Sequence, residues 1–139
     1  MTIQLAIFGA AGRMGKRLVA LASADQEFSL VAAIETEHHP ALRQDAGAVA
    51  GAGSLGVPLS SEWPEQVDVA IDFSVPEGCE AAVKHCSGAG IPLVVATTGL
   101  SEAQMDMVRA AADKIPVCWA PNMSLAVNLT MRLAQQAAM

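Results

Sequence analysis

Five short apolar runs recur along the chain: Ile3 to Phe8, Leu30 to Ile34, Val67 to Phe73, Pro92 to Ala96 and Ile115 to Trp119. They are rich in Val and Ile and have no polar alternate face. Such runs suit strands covered on both sides, as in a parallel sheet whose crossovers lay helices over each face. The segments between them carry helical spacing. Met14, Leu18, Leu21 and Ala22 share one helical face, and Met105, Val108 and Ala112 share another. Ser74-Val75-Pro76-Glu77 and Ser101-Glu102-Ala103-Gln104 both fit capping boxes that would start helices. Gly88 and Gly90, with Pro92 beyond, would end the helix begun near Pro76. Strand and helix thus alternate, and the expected architecture is an open, doubly wound α/β sheet. The stretch from His38 to Pro64 departs from this rhythm. Gly47, Gly51, Gly53 and Gly56 lie among small residues, which predicts a long connection with at most one short strand, around Val57 to Leu59.

Composition narrows the class. The 139 residues are 53% apolar and only 16% charged, too apolar for a disordered chain. No uninterrupted apolar stretch is long enough for a membrane span. A net charge of −6, with scattered Lys and Arg, argues against nucleic acid or an anionic membrane as partner. Met1-Thr2-Ile3-Gln4 has no basic region or cleavage site. Cys79, Cys86 and Cys118 show no CxxC spacing, so the expectation is reduced, mostly buried thiols in a cytoplasmic protein. From Ser124 onward, Leu125, Val127, Leu129, Met131 and Leu133 form an apolar helical pattern that reaches Met139 without a stop signal. The reading is a last helix, 124–139, in a chain that looks truncated.

Gly9-Ala10-Ala11-Gly12-Arg13-Met14-Gly15 follows the first apolar run and opens the first helical segment. Glycines at 9, 12 and 15 suit a tight turn, an approach of backbone to a pyrophosphate, and close helix–strand packing. Helix N-terminal amides would hold the phosphates. Glu35 ends the second run, 20 residues after Gly15, where a dinucleotide fold places the acid that accepts from ribose hydroxyls. The predicted fold is therefore a Rossmann-like doubly wound parallel sheet over residues 1–139, binding NADH or NADPH. Thr36 offers no cation for a 2′-phosphate, which tilts the expectation to NADH, although Arg43 or the His38-His39 pair could reach one. Three further run ends, Asp72 to Glu77, Ala96 to Gly99 and Ala120 to Ser124, would face the same crevice. His38, His39 and His85 fall in a loop and mid-helix, so no catalytic residue and no metal site is expected in this chain.

These segments together resemble the N-terminal, nucleotide-binding domain of 4-hydroxy-tetrahydrodipicolinate reductase (dihydrodipicolinate reductase). The resemblance rests on Gly9 to Gly15, Asp45-Ala46-Gly47 with Gly51-Ala52-Gly53, and Asp72-Phe73-Ser74-Val75-Pro76-Glu77. It extends to Thr97-Thr98-Gly99 and to Ala120-Pro121-Asn122-Met123-Ser124 with Val127-Asn128. It implies an enzyme of roughly twice this length, a homotetramer in diaminopimelate and lysine biosynthesis. That enzyme passes hydride from NAD(P)H to a cyclic dicarboxylate. It further implies that Gly9, Ala10, Ala11, Gly12, Arg13 and Met14 hold the pyrophosphate and Glu35 the ribose. Ala96, Thr97 and Thr98, with Ala120, Pro121, Asn122 and Met123, would contact the nicotinamide by backbone atoms, with Thr98 near the substrate. Ala96 and Ala126 replace glycines common in the family. The family's His-His-x-x-Lys segment, source of the general acid and the substrate carboxylate contacts, is absent, so the chain alone is expected to be inactive. Two rival readings are a free-standing dinucleotide-sensing regulatory module and the cofactor domain of another dehydrogenase.

Overall fold

The computed structural model describes residues 2–64 and 66–139. Six strands form one sheet: β1 (Ile3–Phe8), β2 (Phe28–Ile34), β3 (Leu59–Ser60), β4 (Val69–Asp72), β5 (Leu93–Val95) and β6 (Val117–Trp119). Their order is β3-β2-β1-β4-β5-β6, and every ladder is parallel. Five helices connect or follow them: α1 (Arg13–Ala24), α2 (Ala46–Ala50), α3 (Pro76–Ala89), α4 (Glu102–Ala112) and α5 (Leu125–Ala137).

Strand β1 explains the two-layered core. Its side chains alternate across the sheet, so Ala6 and Phe8 enter one apolar cluster while Leu5 and Ile7 enter the other. The first cluster takes Cys79, Val83 and Cys86 of α3 and Val108 and Ala111 of α4. The second takes Val19 and Ala22 of α1 with Ala46 and Leu59. Burial on both faces is what the unbroken apolar run required. It weakens at the periphery, where β6 is only partly covered.

Several expectations need correction. In α1 the inward face is Gly15, Val19 and Ala22, while Met14 and Leu21 are 48% and 53% exposed. A Cβ on Gly15 would overlap the Gly9 carbonyl, so backbone contact at Gly15 sets the helix's rotation and overrides side-chain hydrophobicity. In α4, Val108 and Ala111 face inward and Ala112 does not. The Ser101–Gln104 capping box forms in full. The one expected at Ser74 does not: Val75 is the N-cap of α3, and Ser74 turns its hydroxyl to Asp72. The helix ends at Gly90, whose φ of 74° continues the chain past the cap, and Gly88 lies within it.

The connection from His38 to Pro64 holds more order than expected. Besides β3 it contains α2, started by Asp45 and closed by Gly51. Asp45 accepts from the amides of Ala48 (2.9 Å) and Gly56 (2.7 Å), from Leu55, and from the Ser54 hydroxyl. These donors, led by Ala48, lower its pKa to about 2. Cys79 and Cys86 are buried, and Cys118 is exposed. Desolvation, reinforced by Asp72, pushes the Cys86 thiol up to about 12 and raises Cys79 as well. No helix among the described residues is long and apolar enough to cross a membrane.

Candidate functional site

The strand order reverses direction between β1 and β4, and the crevice lies beyond their carboxyl ends. Two cavities flank that point. The first, about 460 Å³, is lined by Phe8, Gly9, Gly12, Ile34, Glu35 and Thr36 on one side and Trp63, Phe73, Val75 and Gly78 on the other. The second, about 560 Å³, is lined by Met14, Phe73, Ala96, Thr98 and Ala120 to Ser124. Phe73 belongs to both walls.

The glycine turn sits between them. Gly9 has φ 72°, and a Cβ there would come within 2.7 Å of the Phe73 carbonyl, so no other residue fits without strain. The amides of Gly9 and Ala10 both donate to the Ile34 carbonyl, tying the turn to the end of β2. Ala11 donates its N–H to Glu35 Oε1 at 2.8 Å. The turn then enters α1 at Gly12, an exposed N-cap with no side chain to satisfy the first-turn amides.

That lack of a cap is selective. Helices α2, α4 and α5 are capped by the side chains of Asp45, Ser101 and Ser124. Among the described residues only α1 and α3 start without a side-chain cap, and both start at the wall of the first cavity. Uncapped helix N-termini present amide donors and a positive dipole end, which suits an anionic group.

A buried carboxylate holds the crevice together. Asp72, at the end of β4, is 0% exposed. It accepts from Thr97 Oγ1 at 2.7 Å, from the Ser74 amide at 3.1 Å and from the Ser74 hydroxyl. Thr97 Oγ1 also lies 3.2 Å from the Ser74 carbonyl. Asp72 thereby locks the β4–α3 turn to the β5–α4 turn, and no cation among the described residues pairs with it. On the far side, Asn122 Oδ1 accepts from Ser124 N, and Asn128 Nδ2 donates to the carbonyls of Asn122 and Ser124.

Of the residues singled out in the sequence, Gly9, Gly12 and Glu35 line the first cavity. Met14, Ala96, Thr98, Ala120, Pro121, Asn122 and Met123 line the second. Ala10 is buried under the turn, and Arg13 is exposed and outside both linings. Thr97 is buried with its hydroxyl turned inward to Asp72, between two residues that do face the cavity. His39 lines the first cavity, with Nδ1 accepting from Ala41 N, whereas Arg43 and His38 do not line it. Phe8 and Trp63 were not singled out as site residues, and with Val75 they make much of the first cavity's apolar wall. Trp63 carries no local signal, because it lies in the irregular connection and meets its partners only through the fold.

The strand order, the glycine turn opening α1 and the crevice at the switch point define a Rossmann-type nucleotide-binding domain. The chain belongs to the family described as dihydrodipicolinate reductase, N-terminus, which it matches over residues 3–123. It is 53% identical over 139 residues to 4-hydroxy-tetrahydrodipicolinate reductase of Rhodopirellula baltica, covering 96% of this chain and 50% of that protein. To the reductase of the same name from Methylococcus capsulatus it is 43% identical over 141 residues, covering 99% and 52%. The chain spans about half the length of these relatives. Its fold is shared with dipicolinate-bound dihydrodipicolinate reductase from Paenisporosarcina sp. TG-14, at a TM-score of 0.74 and 23% identity, covering 99% and 54%. It is also shared with an aspartate semialdehyde dehydrogenase with NADP from Candida albicans, at 0.64 and 15%, covering 88% and 43%.

Proposed function

We propose that this chain is the cofactor-binding half of a 4-hydroxy-tetrahydrodipicolinate reductase and holds a reduced nicotinamide dinucleotide across the two cavities. The observation that carries the reading is the uncapped start of α1 at Gly12, set between a cavity lined by Glu35 and a second cavity. The pyrophosphate would lie on the amides after Gly12, the adenosine half in the first cavity and the nicotinamide in the second. Bound there, the cofactor would supply a hydride. The protein's part is positioning. Glu35 would accept from the ribose, its Oε1 already anchored by Ala11. Ala96, Thr98 and the Ala120–Met123 backbone would orient the ring, and Thr98 would stand nearest the substrate.

The second cavity's lining contains no histidine or lysine. We assign the general acid and the substrate carboxylate contacts to the part of the relatives' length that this chain does not span. This chain alone should therefore show negligible oxidation of NADH with substrate, and fusion to the part of a relative that it does not span should restore it. Proximity and proton transfer both need groups that are absent from the second cavity's lining.

NADH is the preferred form in this reading. Glu35 and Glu37 both line the first cavity, and no Lys or Arg does, so a 2′-phosphate would add like charge. The test is a titration with NADH and NADPH followed by cofactor fluorescence, on the parent and on Gly12→Asp. Aspartate is a good N-cap, and a Cβ at Gly12 meets only the Gly9 carbonyl at 3.1 Å, so the fold should survive. Its carboxylate would nevertheless occupy the phosphate position, and affinity should fall by on the order of a hundredfold. NADPH should bind roughly tenfold more weakly than NADH, about 1.4 kcal/mol. Equal NADH affinity in parent and variant would sink the phosphate assignment, and NADPH binding as tightly would sink the preference.

A further inference from the structure

The first cavity has a wall that neither the glycine turn nor Glu35 explains. Trp63, from the connection between β3 and β4, lines it together with Phe8. The Trp63 ring lies 4.5 Å from that of Phe8, tilted by 37°, and 4.1 Å from that of His85, stacked at 20°. Three planar groups from β1, a loop and α3 thus form one column beside the cavity. Phe8 is fixed in the core, being 4% exposed, and His85 is mounted mid-helix on α3. His85 Nε2 is buried with no hydrogen-bond partner among the described residues, so this imidazole is held by packing. An orphaned polar atom costs free energy, and the column is the visible gain set against it. Around it the cavity is apolar, with Ile34, Val75, Gly78 and Ala81.

We infer that Trp63 is a binding residue for the heteroaromatic base of the dinucleotide's adenosine half, and that His85 is the positioning residue that holds Trp63 in place. The inference rests on the dinucleotide reading and deepens it. With Glu35 on the ribose and the α1 amides on the pyrophosphate, the base extends towards the part of the cavity bounded by Trp63, Ile34 and Val75. With its faces against Phe8 and His85, Trp63 offers the base its indole edge, and a flat, weakly solvated base gains there by apolar contact with that edge, Ile34 and Val75. A rigid Trp63 loses little conformational freedom on binding, which is what the backing by His85 provides.

The chain has two tryptophans, and Trp119→Phe leaves Trp63 as the sole indole reporter. In that background, ADP-ribose, which carries the base, should change Trp63 emission saturably. Inorganic pyrophosphate, which can occupy only the turn, should not. Trp63→Ala should weaken NADH binding roughly tenfold, and Trp63→Phe by no more than about threefold. His85→Ala should weaken it by several-fold, and His85→Phe, which restores a planar ring, should recover the loss. A merely structural His85 would not separate these two variants so. If Trp63→Ala folds and binds NADH as tightly as the parent, or if ADP-ribose leaves Trp63 emission unmoved while binding, the inference is overturned alone. If the parent binds neither NADH nor ADP-ribose, the dinucleotide reading falls and takes this one with it.

Discussion

The two sides of the crevice are built differently. The first cavity is walled by residues rooted in the core: Phe8 and Ile34 are 4% and 6% exposed, and Glu35 is tied to the glycine turn. The second is closed on its far side by Ala120 to Ser124, which lead into α5, none of whose residues is buried; Leu125 is 89% exposed. The far side holds its shape through local bonds among Asn122, Ser124 and Asn128 rather than through packing. Side chains packed on both faces of a sheet can move only with the core, whereas a bracket of exposed hydrogen bonds opens at low cost. The first cavity should be preformed in this chain, and the second more easily deformed.

The sharpest way to break that contrast is to remove the carboxylate at the seam. Asp72→Ala leaves the Thr97 and Ser74 donors without their acceptor, at a position that is 0% exposed. The expected loss is about 3 kcal/mol in denaturant unfolding. A loss below about 1 kcal/mol would mean that the two turns are held by something other than Asp72.

The next test is acid. Asp45 organises α2 and the loop beside it, and its pKa of about 2 lies below the ordinary 3.8. A carboxylate depressed in the folded state adds stability that is fully present above about pH 4 and is lost as pH falls towards about 2. Unfolding curves for the parent should steepen in that window, and Asp45→Asn should flatten them. An unchanged acid profile in the variant would remove Asp45 from the account. His85 has the opposite chemistry but the same sign. Burial lowers its pKa, so below about 6.5 the unfolded chain takes up the proton first and stability declines with falling pH.

The smallest effect is expected on α5. Leu129→Ala, at a side chain 59% exposed, should change the stability of this chain by less than about 0.5 kcal/mol. A loss above about 1.5 kcal/mol, measured the same way, would show that the two sides are packed alike.

Much of the fold was legible in the residues. The apolar runs of β1 and β4 marked doubly covered strands, and Gly9, Gly12 and Gly15 marked the turn and its helix. Those features are local: a strand's alternation and a glycine's missing Cβ act on neighbours a few residues away. For the same reason the run ends that line the second cavity could be picked from order alone. What was not legible depends on partners distant in sequence. Met14 and Leu21 look like core in α1, but the contact of Gly15 with Gly9 turns the helix so that they face solvent. The five-residue α2 is too short to show a helical period, and its order comes from Asp45 bonding across the loop to Leu55 and Gly56.

By itself, then, the sequence determined a parallel α/β sheet, the position of its switch point and a glycine turn opening the first helix. Each follows from steric and burial rules that act within a turn or a strand. Only the tertiary structure decided that Asp72 would be sealed against Thr97, 25 residues away, and that Trp63 would be clasped between Phe8 and His85. Side chains so far apart along the chain acquire a partner only when the sheet order and the helix rotations bring them together. No local pattern records that meeting, because the free energy that fixes it belongs to the assembled layers.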